Sequence, residues 1–114
     1  MADSKHSLLY SEYEDDPDMR ELVEQFVAEM PERRAELLRA ASSGDLSGAI
    51  RVAHQLKGAS GGYGFGPLGE TACQCEEAFK RLDTETDRVQ AEMLLRVAEP
   101  LLVACDRVRV SSAA

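Results

Sequence analysis

The chain has no tryptophan, and aromatic residues make up only 5% of its 114 positions. Aliphatic side chains must therefore fill most of any core. Cysteine is scarce too: Cys73, Cys75 and Cys105 are an odd set, unlike a disulfide framework. No apolar run approaches the roughly 20 residues that span a bilayer. Met1 to Tyr10 offers only Leu8 and Leu9 where a signal peptide would carry its apolar region. Basic residues are outnumbered, 13 against 21 acidic, for a net charge of −8. Nucleic acid and anionic membrane surfaces both attract a basic face, so neither is an expected partner. The expected site of action is the cytosol, where the thiols stay reduced. A metal site is not expected: Cys73 and Cys75, two apart on a helix, point about 200° from one another and cannot share one ion.

What the chain does contain is helix-forming. Apolar residues are 44% of the sequence and charged ones 30%, with Ala, Leu, Glu and Arg prominent and Val and Ile scattered. This length supports one domain with a single modest core. Residues 1–17 are polar and read as an arm or short lead-in helix, docking through Leu8, Leu9 and Tyr13. Asp16 is placed to cap a first long helix, with Pro17 in its first position. That helix carries Leu22, Val23, Phe26, Met30, Leu37, Leu38 and Ala41 at three- and four-residue spacing, with Pro31 as a kink. Ser42-Ser43-Gly44 closes it, and Asp45 caps the next.

The second helix shows Leu46, Ala49, Ile50, Ala53, Leu56 and Ser60 on one face, then frays into Gly61–Gly66. Pro67 opens a third helix with a stripe of Leu68, Ala72, Cys75, Phe79 and Leu82. Thr84 and Asp87 suggest a capping box for a fourth, which runs through Val89, Met93, Val97, Leu101, Ala104 and Val108 with Pro100 as a second kink. The expected fold is all-α, an antiparallel up-down four-helix bundle over residues 18–110, with a frayed tail at 111–114.

One stretch stands out: Ala53-His54-Gln55-Leu56-Lys57-Gly58-Ala59-Ser60-Gly61-Gly62-Tyr63-Gly64. At about 100° per residue, His54 lies some 120° from the centre of its helix's apolar face. Ser47, Arg51, Gly58, Gly61 and, less closely, Gly62 come to its side. Glycine inside a helix costs about 1 kcal/mol relative to alanine, so a run of it beside one histidine implies a need for space. Neutral imidazole has a free lone pair at cytosolic pH and can attack phosphorus without a general base. Lys57, at i+3, could swing its ammonium toward the ring and offset the charge of a captured phosphoryl group. Arg51 and Lys57 make the local balance positive, and no second titratable base is evident. Spacing alone leaves a plainer alternative open, a surface histidine beside a helix end loosened by glycine. His6 lies in the polar arm with no supporting residues, and Tyr63 and Phe65 read as packing residues at the turn.

Ala53 to Ser60, followed by Gly64, resembles the motif of histidine-containing phosphotransfer (HPt) domains, approximately A-H-x-L-K-G-x-S/A and then a glycine. Phe26, Pro31, Leu37-Leu38 and Gly44-Asp45 before it, and Leu68, Ala72 and Phe79 after it, are similar to the flanking helices. The resemblance implies a histidine phosphocarrier in a multistep two-component phosphorelay. His54 would accept a phosphoryl group from a receiver-domain aspartyl phosphate and pass it to another receiver. Lys57 would be the cation near the phosphoryl group, Gly58 the clearance residue and Leu56 the anchor to the core. Arg51, Gln55, Gly58, Gly61 and Gly62 would meet the partner, the receiver domain of a response regulator or hybrid histidine kinase.

The chain would act as a monomeric transfer intermediate, not as an enzyme, with no intrinsic cofactor and with Mg²⁺ in the partner receiver. Gly61-Gly62-Tyr63 is richer in glycine than the corresponding family segment. A second class of function is a non-catalytic module that binds a receiver or kinase. A third, a metal or redox bundle using Cys73, Cys75 and His54, fails on helix geometry.

Overall fold

The structure, a computed structural model, describes residues 7–85 and 90–110, and the side chains of 83–85 are not among those described. Four helices follow one another: α1 (Arg20–Ser42), α2 (Leu46–Gly62), α3 (Gly66–Glu85) and α4 (Ala91–Arg107). Their packing makes the expected all-α four-helix bundle. α2 packs most extensively on α3 and α1 on α4, so the helices form a ring in which chain neighbours touch. Among the described residues, no helix is long and apolar enough to cross a membrane.

Helix boundaries follow local chemistry, with two corrections. Asp45 caps α2 as expected, its Oδ1 accepting from the Gly48 N–H at 2.9 Å. Asp16 does not cap α1. Its carboxylate instead accepts from the Asp18 N–H two residues on, at 2.9 Å, holding a separate turn. Pro17 lies in that turn, and α1 begins only at Arg20, with Met19 in the cap position and no side-chain cap bond.

Thr84 does not cap α4, because α3 continues through it to Glu85; α4 starts after extended Gln90. Asp87, Val89, His6 and the tail at 111–114 lie outside the described residues. α1 and α4 run uninterrupted through Pro31 and Pro100, both exposed.

The core joins Val23, Phe26, Met30 and Leu37 of α1 to Ala49, Val52, Ala53 and Leu56 of α2. Leu68, Ala72 and Phe79 of α3 and Leu94, Ala98 and Leu101 of α4 complete it. Leu22 and Leu38, expected inside, are exposed. In α4 the expected Leu101 and Ala104, and Val108 at its C-cap, are buried, but Met93 and Val97 are only half-buried, and Leu94, Ala98 and Cys105 are buried beside them. Each step of four residues from Leu101 back to Val97 and Met93 drifts about 40° on a helix, which carries those two toward the edge of the buried face. Tyr63 and Phe65 are packing residues, stacked on Phe26 at centroid distances of 4.9 and 5.4 Å.

Residues 7–11 of the N-terminal arm form an extended strap. Leu9 bridges to the end of α4, donating to Arg107 O at 2.7 Å and accepting from Arg109 N at 2.9 Å. Ser11, buried, donates through Oγ to Tyr63 O at 2.5 Å, and Glu12 N–H donates to Gly64 O at 3.0 Å. Gly64 sits at φ +83°, and a side chain there would strike Ser11 and Tyr13. Leu9 and Ser11 therefore hold the arm, while Leu8 and Tyr13, expected to dock it, remain exposed.

Candidate functional site

α2 and α3 approach closely at two small residues, Ser60 and Gly69. A Cβ on Gly69 of α3 would stand 3.3 Å from Ser60 Cβ and 3.5 Å from Lys57 O of α2. Ser60 turns its buried hydroxyl onto its own helix, donating to Leu56 O at 2.5 Å. This close crossing brings Glu76, two turns beyond Gly69 on α3, against the outer flank of α2.

His54 meets it there. The imidazole Nδ1 lies 2.9 Å from Glu76 Oε2, with the His54 side chain 65% exposed and the Glu76 side chain only 3%. Lys57 Nζ is 2.9 Å from Glu76 Oε1, and Lys80 Nζ, one turn further along α3, is 3.0 Å from Oε2. One buried carboxylate thus serves three nitrogen groups.

Electrostatics fix how these groups are charged. Burial alone would push the Glu76 carboxyl upward, but hydrogen bonds from Lys57, Lys80 and His54 outweigh it and hold it at about 2. The hydrogen bond to Glu76 and its charge push Lys57 up from 10.5. An ionised carboxylate only accepts, so the His54 Nδ1 facing it must carry the proton. When the ring is neutral, Nε2 is the nitrogen with the lone pair, on a ring largely open to solvent. The arrangement is an oriented nitrogen nucleophile with a carboxylate behind it and two ammonium groups beside it.

The expected site residues separate into groups. Gly58, Gly61 and Gly62 are exposed on α2, with open space where each Cβ would stand, leaving a bare shelf along the helix beyond His54. Gln55 is exposed next to the histidine. Arg51 is exposed on the other side and borders a polar cleft with Glu36, Arg39 and Asp45, toward the α1–α2 connection. Lys57 does not stand free beside the ring: it is paired with the carboxylate that holds the ring.

Sequence reasoning missed Glu76 and Lys80. The available signal was a carboxylate four residues after Ala72 and three before Phe79, inside the apolar stripe of α3, with a lysine one turn on. Cys75 and Cys105 are buried away from this site, their thiols pushed up to about 12 chiefly by burial, and Cys75 Sγ donates to Val97 O at 3.5 Å. Among the described residues no His, Cys, Asp or Glu cluster could hold a metal ion.

Comparison with protein families matches residues 21–106 to the Hpt domain. The match covers most of the chain, including all of α2 and α3, and the protein belongs to this family. Members are phosphotransfer modules of phosphorelays, acting with receiver domains and not as catalysts by themselves. No curated protein and no solved structure matches the chain.

Proposed function

We propose that the protein is a phosphocarrier whose acceptor is Nε2 of His54. It would take a phosphoryl group from the aspartyl phosphate of one receiver domain and pass it to another. The single observation that carries this reading is the Nδ1–Glu76 contact of 2.9 Å, which assigns the proton of a neutral ring to Nδ1 and makes Nε2 its exposed lone-pair nitrogen.

In the forward step Nε2 donates its electron pair to phosphorus. A nitrogen–phosphorus bond forms, the bond from phosphorus to the aspartyl oxygen breaks, and the aspartate leaves as a carboxylate. The ring gains positive character as it bonds. Glu76, still ionised, accepts from Nδ1–H throughout and holds the ring's orientation as it bonds. Lys57, bonded to the same carboxylate, has a stem long enough to turn its ammonium toward the phosphoryl oxygens. Return transfer is the same path reversed, so direction depends on the two receivers.

Gly58, Gly61 and Gly62 supply the clearance for a partner's loops to bring the aspartyl phosphate in line. Gln55 and Arg51 flank that approach. Mg²⁺ enters with the receiver, where it would neutralise phosphoryl charge. A cytoplasmic location fits such partners.

The test is transfer from a panel of phosphorylated receivers in Mg²⁺ buffer, with wild type beside His54→Gln. An acid-labile, alkali-stable adduct confined to the wild type supports the assignment. An adduct retained by His54→Gln refutes it, and receiver binding without any adduct indicates an interaction module.

A further inference from the structure

We infer that Lys80 is a positioning residue that keeps His54 in its neutral, nucleophilic form by occupying the same Glu76 oxygen that the imidazole uses. Lys80 Nζ and His54 Nδ1 lie 3.0 and 2.9 Å from Oε2, so the ammonium and the ring stand side by side on one atom.

A carboxylate paired with a histidine alone favours the imidazolium, because the ion pair forms only when the ring is charged. An imidazolium has no free lone pair and cannot attack phosphorus. Glu76 avoids this outcome because its charge is already met. Lys57 and Lys80 bring two positive charges to one negative, so a protonated ring would join a cluster that is positive without it. The hydrogen bond to Nδ1 survives, and with it the ring's orientation.

Lys57 holds the other oxygen and sits on the histidine's own helix; Lys80 comes from α3. Arg51, one turn before His54, adds a further positive charge on the exposed side of α2. Glu77 of α3 and the Cys73 thiol stand near Lys57 and act on it. α1 and α4 meet α2 on its buried side, through Ala49, Val52, Ala53 and Leu56.

Replacing Lys80 with glutamine removes one positive charge beside the ring, so the protonated ring persists to higher pH. For unit charges a few ångströms apart in a solvent-exposed setting, the upward displacement is about half a pH unit to one unit. The functional meaning rests on His54 being the acceptor, but the titration itself needs no phosphoryl donor.

The experiment is a ¹⁵N NMR pH titration of the full chain labelled at histidine, with His54→Gln assigning the His54 signals apart from those of His6. Wild type, Lys80→Gln, Lys80→Met and Lys80→Arg are compared, each checked for an unchanged thermal transition. Phosphorylation by phosphoramidate is followed over the same pH range. Two neutral variants displaced upward, with arginine restoring the wild-type midpoint and acceptance falling off at correspondingly higher pH, support the inference. Midpoints that coincide in all four proteins overturn it, as does loss of the Nδ1–H tautomer without a displaced midpoint. A displaced midpoint with no phosphohistidine from any donor supports the electrostatic role of Lys80 and overturns the acceptor reading instead.

Discussion

Nδ1 of His54 on α2 lies 2.9 Å from Oε2 of Glu76 on α3, joining the most exposed group of the site to its most buried. Both properties are needed. For the proposed transfer, exposure would let a macromolecular donor reach the ring, while burial fixes the carboxylate that orients it.

Glu76→Gln keeps the side chain's size and one acceptor oxygen but removes the charge. Acceptance of a phosphoryl group by His54 should slow by about tenfold to a hundredfold, the size of effect that follows loss of the carboxylate orienting a metal-ligating histidine. Single-turnover transfer from a phosphorylated receiver measures this. An unchanged rate would leave the carboxylate without a role in transfer.

The same carboxylate gives acid stability a defined window. Its value in the folded chain, about 2, lies below the ordinary 4.5, so the unfolded chain binds this proton more readily. The stability it contributes is complete above about pH 4.5 and is lost as pH falls from there toward 2. Urea unfolding of wild type and Glu76→Gln between pH 7 and pH 2.5 should show wild type more stable at neutral pH and the two converging in acid. Parallel profiles would show that the ion cluster does not stabilise the fold.

Gly58 offers a separation of stability from activity. With open space at its Cβ position and an exposed helical setting, Gly58→Ala and Gly58→Leu should each raise stability by about 0.5–1 kcal/mol. Alanine should preserve transfer, while leucine blocks it by bulk over the shelf beside His54. A leucine variant that transfers normally would remove the clearance argument.

The strap can be tested at its tightest point. Gly64→Ala places a methyl group at φ +83° against Ser11 and Tyr13, and should destabilise the bundle by about 1–3 kcal/mol. Ser11→Ala, which removes only the bond to Tyr63 O, should cost about 1 kcal/mol. Thermal melts that rank the two the other way would mean that the hydroxyl, not the close backbone approach, seats the strap.

The bundle was legible in the sequence because each helix reports its own buried face. Phe26, Leu56, Leu68 and Phe79 all fall where their spacing placed them. Lys57 and Gly58 could be connected to His54 for the same reason: one helix carries all three, and its repeat is known. Glu76 and Lys80 could not. They reach His54 only through the register of α3 against α2, which the close approach at Ser60 and Gly69 helps set. Periodicity within one helix carries no information about that register. Asp16 and Thr84 misled for a related reason, since a capping residue is recognisable by type but used only where a helix begins. Asp16 held its own turn, and α3 ran on through Thr84.

The pairing of Leu9 with Val108 also closes the chain on itself, bringing the strap alongside the end of α4. Spatially the backbone is nearly a ring, so the order in which its helices are connected can be separated from the way they pack. A short linker from Val110 back to the strap would permit circular permutation, with new ends opened at Ser43–Gly44. α2 and α3 would remain one unbroken hairpin carrying His54, Lys57, Glu76 and Lys80 together. The candidate site is thus a hairpin's property, and the rest of the bundle is its scaffold.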